Sequence, residues 1–194
     1  MPTETPPRRR SEPRERLLRT ATEVFYAKGI HAVGIEEIVD RAHITRSTLY
    51  RHFPGKEDLV VAYLELASRL ERESIESALD PGQSPEDAVR AVAGAIVAQI
   101  SNPHFRGCAF LNAAAEYPDE DHPVRRAILD HRTWFADLAL TLFRRVSEEG
   151  GDRSAEVFVL LRDGAMAAGC LADPGQVGET FLLAVDGVLA RSGA

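Results

Sequence analysis

Apolar side chains recur along this chain at three- and four-residue intervals, the spacing that collects them on one face of a helix. Leu17, Leu18, Ala21, Val24 and Phe25 form the first such stripe, and Gly29 closes it. Ile35, Ile38, Val39 and Ala42 form a second, over about Ile35–Ala42. After a three-residue break a short third helix is expected at about Thr45–Phe53, with Leu49 and Phe53 four apart and Thr45 as its N-cap. Pro54-Gly55-Lys56 then opens a long helix through Leu59, Val60, Tyr63, Leu64, Ala67, Leu70 and Ile75 to about Leu79, where Asp80-Pro81-Gly82 ends it. Ser84-Pro85-Glu86-Asp87 reads as a cap, a first-turn proline and early acidic residues, starting a helix that runs to about Ile100. Further helices are expected at about Phe105–Ala115, Pro123–Glu148, Ser154–Ala172 and Gln176–Arg191. No alternating run of β-branched residues bounded by hairpin turns interrupts this pattern. The fold class expected is all-α, with about nine helices.

Three short helices, the second and third joined by a tight turn, have the geometry of a helix-turn-helix. Ile38 and Val39 of the second helix and Leu49 of the third point inward, so the two hold each other. The outward face of the third helix then carries Thr45, Arg46, Ser47, Thr48, Tyr50 and Arg51. Hydroxyls, guanidiniums and a phenol are groups able to meet base edges and phosphates in a major groove. No carboxylate occurs from Ala42 to Gly55, while His52 and Lys56 sit where the next helix begins, and a helix N-terminus attracts phosphate.

Charge sharpens that reading. The chain has 194 residues and a net charge of −7, yet residues 1–56 hold 11 Lys and Arg against 7 Asp and Glu, whereas the remainder holds 12 against 23. A basic head on an acidic body confines contact with a polyanion to the first 56 residues. Residues 1–10 join three prolines to three arginines without apolar periodicity and read as a disordered basic arm. The longest small-apolar stretch, Gly164–Ala172, has nine residues, against the roughly 18 that a membrane span requires. Two distant cysteines, Cys108 and Cys170, without a CxxC, fit a reducing cytoplasm better than structural zinc.

The run Phe25-Tyr26-Ala27-Lys28-Gly29-Ile30, the run from Gly34 through Glu36-Glu37-Ile38 to Ala42, and Ile44-Thr45-Arg46-Ser47-Thr48-Leu49-Tyr50-Arg51-His52-Phe53-Pro54-Gly55-Lys56-Glu57-Asp58-Leu59 together resemble the TetR (tetracycline-repressor) family, over about residues 14–65. That resemblance implies a third helix that reads operator DNA, with Arg46, Ser47, Thr48 and Tyr50 near bases or backbone and Tyr50, His52 and Lys56 on phosphates. It also implies a helical ligand-binding body, a dimer built by the last two helices, and DNA release when a ligand changes the separation of the two reading heads. Two positions depart from the family pattern. His43 stands where the turn usually has Gly, and Gly34 where the second helix usually has a Thr or Ser cap, so a slightly less stable head is expected. The domains expected are an arm at 1–10, a DNA-binding head at 11–56 and a ligand-binding and dimerisation body at 57–194.

In the body, Val124, Ile128, His131, Phe135, Leu138 and Leu142 form one stripe. His131 within it is open to a hydrogen-bonded core position, a pocket wall or a metal ligand. Phe105, Phe110, Trp134, Phe135, Phe158 and Met166 are candidates to line an apolar ligand pocket, or to be plain core. Glu116 and Arg162 are added as its polar members. Arg162 and Asp163 interrupt an otherwise apolar helix and must reach water, partner charges or a ligand. Glu116, His122, His104 and His131 match no known metal-ligand spacing, so no metal or cofactor is expected. Cys108 and Cys170 are either free buried thiols or a redox pair. Gly164, Ala165, Ala167, Ala168, Gly169, Ala184, Gly187 and Ala190 keep the last two helices, about 154–172 and 176–191, slim enough for a four-helix bundle of two copies.

The function expected is a cytoplasmic, homodimeric, ligand-responsive regulator, a repressor bound to a pseudo-palindromic double-stranded operator and released by a small-molecule effector. One alternative is a small all-α enzyme using His131 with Glu116 or Asp130 as an acid–base pair, although no GxSxG, HExxH, P-loop or dinucleotide loop occurs. The other is a protein-interaction module that has lost DNA binding. The carboxylates that such a module would carry on its third helix are missing.

Overall fold

The computed structural model describes residues 12–192, so the basic arm expected at 1–10 lies outside the described residues. Among these the chain forms nine α-helices and no strand: α1 (Glu12–Lys28), α2 (Ile35–Ala42), α3 (Arg46–His52), α4 (Lys56–Ala78), α5 (Pro85–Ile100), α6 (Ala109–Glu116), α7 (Pro123–Val146), α8 (Gly151–Ala168) and α9 (Pro174–Ser192). No helix is long and apolar enough to cross a membrane. The backbone divides between Tyr63 and Leu64, inside α4, into two compact units.

In the first unit, α1 packs on both α2 and α3, which also pack on each other. Its core is the set of stripes read from the sequence: Leu17, Ala21, Val24, Phe25, Ile38 and Leu49 are all sealed from solvent. The opening turns of α4 join it through Leu59 and Val60, and the Phe25 and Tyr63 rings lie 5.9 Å apart. The turn between α2 and α3 places His43 at φ 51°, ψ 49°, the left-handed region. A non-glycine residue there costs roughly 1–2 kcal/mol. The cost is offset in part by closure of the turn, as the amides of His43 and Ile44 donate to the carbonyls of Asp40 and Val39 at 3.2 and 3.0 Å. Gly34 caps α2 with no side-chain bond, whereas the Thr45 hydroxyl accepts the amide of Thr48 at 3.3 Å and caps α3.

In the second unit, α7 packs against α5, α6 and α8, and α9 against α5 and α8. Phe158 is the hub, with the rings of Phe143, Phe135 and Phe181 at 5.5, 6.1 and 6.1 Å. Two boundaries differ from the sequence expectation. α6 begins at Ala109, not near Phe105, because Gly107 adopts φ 91° and the Asn112 side chain ties down the Arg106 carbonyl at 3.0 Å. α8 begins at Gly151, within the Gly150-Gly151 pair expected to be a break, and ends at Ala168. It starts there because it lies against the end of α7. A Cβ on residue 151 would stand 2.8 Å from the Phe143 carbonyl oxygen and 2.9 Å from the Arg144 backbone. Gly151→Ala is therefore expected to destabilise the protein by about 1–3 kcal/mol. A urea midpoint equal to that of the unsubstituted chain would contradict this packing.

Candidate nucleic-acid interface and ligand site

α3 has seven residues and buries one of them, Leu49, completely. That anchor turns the opposite face outward: Thr45, Arg46, Ser47, Tyr50 and Arg51 are exposed, while Thr48, His52 and Lys56 are half-buried. All eight residues expected to meet DNA thus fall on one short helix and its flanks. The hydroxyls at its start are engaged with one another, Thr45 Oγ1 lying 3.1 Å from Ser47 Oγ and 2.9 Å from Thr48 Oγ1. At the head of α4 the Asp58 carboxylate accepts the Gly55 amide at 2.8 Å, so one donor there is already used.

The face is free of carboxylates in sequence but not in space. Glu36, one helix earlier, reaches Arg46 at 2.9 Å, and the same guanidinium sits 5.7 Å from the centre of the Tyr50 ring. The sequence does not reveal Glu36 beside Arg46, because that position depends on how α2 crosses α3. Glu37 is held separately, by Lys28 at 2.7 Å and Arg41 at 2.9 Å, and the hydrogen bond from Lys28 keeps its carboxyl below the usual range.

In the second unit, nine residues were candidates for a ligand pocket. Phe110, His131, Phe135, Phe158, Arg162 and Met166 are buried; Phe105, Glu116 and Trp134 are half-buried. Phe110 lies parallel to the His131 ring, centroids 3.6 Å apart, and Trp134 is tilted against the same ring at 5.3 Å. Phe105 packs near the end of α8, its Cε1 being 3.1 Å from where a Cβ on Gly169 would stand. Glu116 is the last residue of α6.

Arg162 is 2% exposed and held by Glu71 at 2.8 Å and Asp163 at 3.1 Å, while Arg132 also reaches Asp163, at 2.8 Å. The demand for a partner was legible at Arg162. Its main partner Glu71, on α4, was not, since it stands between Leu70 and Arg72 in a stretch that reads as solvated. Glu71 also lies 3.5 Å from His131 Nε2, and His131 Nδ1 lies 3.0 Å from Ser68 Oγ. Ser68 in turn accepts from Arg72 Nε at 3.2 Å, and Arg72 sits 4.2 Å over the Trp134 ring. The other ring nitrogen, Nε2, faces Glu71 and has no hydrogen-bond partner among the described residues. Burial, followed by the guanidiniums of Arg162, Arg72 and Arg132, pushes the His131 pKa down to about 3. The ring is neutral at pH 7, and its approach to Glu71 is not an ion pair.

Cys108 is buried with its sulfur 3.7 Å from Arg162 Nη1. Cys170 Sγ lies against Gly107, where an added Cβ would be 2.9 Å away, and burial of the sulfur pushes that thiol up, with Arg106 opposing. Among the described residues no three His, Cys, Asp or Glu side chains converge on a point where a metal ion would fit. Along α8 and α9 runs a separate apolar groove of about 430 Å³, with Leu161, Ala165, Val177 and Phe181 in its wall. Beside it Leu160 on α8 is 69% exposed and Leu183 on α9 is 75% exposed.

Comparison with known proteins bears on both units. Residues 17–63 match the model of bacterial regulatory proteins of the tetR family. The crystal structure of SCO4454, a TetR-family transcriptional regulator from Streptomyces coelicolor, is 54% identical, with a TM-score of 0.92 over 95% of this chain and 98% of that one. The HTH-type transcriptional regulator YxaF of Bacillus subtilis is 26% identical over 144 residues, 73% of each chain. The HTH-type transcriptional activator FasR of Mycolicibacterium smegmatis is 46% identical over 56 residues, 29% of this chain and 26% of its own.

The neutral histidine sets a pH dependence. In the unfolded chain His131 titrates near its ordinary 6.5, whereas in the folded chain it does so near 3. Between these values the unfolded state takes up a proton that the folded state refuses, so this contribution is fully present above about pH 6.5 and is lost as the pH falls toward 3. Urea unfolding at pH 7, 5.5 and 4.5 should show the decline, and His131→Gln should flatten it. An unchanged slope in that variant would mean that other groups govern acid unfolding.

Proposed function

This chain belongs to the TetR family of transcriptional regulators, DNA-binding proteins rather than enzymes, and from that premise we propose that it is a ligand-released repressor acting as a homodimer on a pseudo-palindromic operator. The observation that carries the DNA-binding half is α3, pinned by Leu49 with Arg46, Tyr50 and Arg51 turned to solvent. A short helix held by one buried side chain on two supporting helices can enter a major groove as a rigid unit. In this reading Thr45, Arg46, Ser47 and Thr48 meet base edges or backbone, and Tyr50, Arg51, His52 and Lys56 bind phosphates. In this reading the head, expected at 11–56, takes in the opening turns of α4 up to Tyr63, and the body from Leu64 carries the effector and the dimer contact.

The dimer reading rests on α8 and α9. Their exposed leucines and slim, groove-bearing faces leave apolar area that a second copy would cover, giving a four-helix bundle. A two-fold dimer implies operator half-sites about 34–36 Å apart or a little more. The effector would sit in the second unit, where the candidate His131 lines a groove together with Ser68, Arg69 and Arg72, while Phe110 and Arg162 are packed against it as buried core. Release of DNA by a small molecule inside the cell makes the cytoplasm the place of action.

Tyr50→Ala and Lys56→Ala should each weaken binding to operator DNA by roughly ten-fold or more and leave the dimer intact. Operator affinity unchanged in both variants would refute the assignment of α3. Leu160→Glu and Leu183→Glu should instead shift the protein to monomer in sedimentation equilibrium, with weakened operator binding as the consequence. A dimer that persists in both would place the contact elsewhere.

A further inference from the structure

Between α4 and α7 of the second unit lies a groove of about 270 Å³. Leu64 and Ala127 supply apolar wall, and Ser68, Arg69, Arg72 and His131 supply polar wall, with Glu65 and Asp130 also lining it. The guanidiniums nearby fall into two classes. Arg162 and Arg132 are matched by Glu71 and Asp163 at 2.8–3.1 Å. Arg69 and Arg72 form no ion pair among the described residues, although two carboxylates share their groove. Arg72 is nevertheless held in place: its Nε is spent on Ser68, and its carbon sits over Trp134, which leaves the two terminal NH₂ groups for another acceptor. Arg69 stands one turn earlier on the same face of α4. His131 at the base is neutral and adds no competing charge, because burial and the surrounding guanidiniums exclude its second proton. Such a pair of unmatched guanidiniums is suited to one planar carboxylate. Glu65 and Asp130 on the wall oppose a second negative charge, which disfavours phosphate. The volume falls below the roughly 300–1,000 Å³ typical of drug-sized ligands and limits the occupant to a few carbons or one ring.

We propose that this groove binds a small organic monocarboxylate, with its apolar body on Leu64 and Ala127 and its carboxylate on Arg69 and Arg72. The further step, that such an acid is the effector, rests on the ligand-released reading given above. The bound anion would engage Arg72, and through it Ser68 and His131, whose Nε2 faces Glu71, the partner of Arg162, at 3.5 Å without a hydrogen bond.

Trp134 is the one tryptophan of the chain and carries Arg72 on its ring, so its fluorescence reports on this site. The full chain is titrated with benzoate and with isobutyrate, each beside its neutral counterpart, benzyl alcohol or isobutanol, and with inorganic phosphate. The expected result is a saturable fluorescence change and a rise in melting temperature with the two acids at about millimolar concentration, as befits ligands of this size. The alcohols and phosphate should be at least ten-fold weaker. Arg69→Gln should weaken the acids ten-fold or more while keeping the melting temperature of the unliganded protein, and Arg69→Lys should fall between. No saturable response to either acid, alcohols or phosphate as effective as the acids, or full binding by Arg69→Gln would overturn the proposal. Operator binding is followed in the same titration. Acids that bind while the protein stays on DNA would uphold the site and sink the step that such an acid is the effector. Acids that fail to bind would sink the site and leave the ligand-released reading standing.

Discussion

A guanidinium sealed from water must be neutralised on the spot, and at Arg162 that requirement organises the second unit. Leaving such a charge uncompensated costs several kcal/mol, so the helices around it are constrained by what they bring. α4 contributes Glu71, α8 contributes Asp163, α7 offers the face of Phe135 with its ring centre 4.8 Å away, and the loop before α6 contributes the Cys108 sulfur. Glu71 then faces His131, which can be buried beside it only as a neutral ring, and that ring fixes the hydroxyl of Ser68. Replacing any member changes what its neighbours must do, which makes this cluster a polar core with a defined arrangement inside an otherwise apolar bundle.

The first unit obeys a different constraint. Its three short helices bury aliphatic and aromatic side chains almost without polar help, and its specificity lies in what it leaves outside. Leu49 is the pivot: being fully buried, it determines which residues of α3 can be exposed. The left-handed His43 belongs to the same design, since the angle between α2 and α3 depends on a turn of this shape. The first unit is thus ordered by apolar burial, and the second by a charged cluster set within an apolar core.

Much of this was legible in the residue pattern, for physical reasons. Helices α1 to α5 and α7 announce themselves through apolar periodicity and local stop signals, and both are encoded within a few residues of where they act. The left-handed turn at His43 and the weak cap at Gly34 could be read only through the family resemblance, whose pattern has Gly in that turn and Thr or Ser at that cap. What could not be read depends on contacts between segments remote in sequence. The start of α8 is decided by the backbone at the end of α7, and the start of α6 by the Gly107 turn and the Asn112 side chain. Glu71 looks like one more solvated acid until α8 is placed beside it, and Ser68 and Arg72 look like ordinary helix surface until α7 is. The aromatic residues could be identified as interior, but their partners, such as Phe110 on His131, required coordinates.

The ion pair between Glu36 and Arg46 has a consequence for discrimination. If Arg46 meets DNA as proposed, it does so from an ion pair with a carboxylate of its own molecule rather than as a bare cation. On that reading a DNA sequence gains from Arg46 only by the amount that its acceptors exceed those of Glu36, whereas a poor sequence leaves the internal pair closed. In that proposal Glu36 is a weak competitor for the guanidinium, since both side chains are more than half exposed, and it lowers the yield from non-cognate DNA more than from cognate DNA.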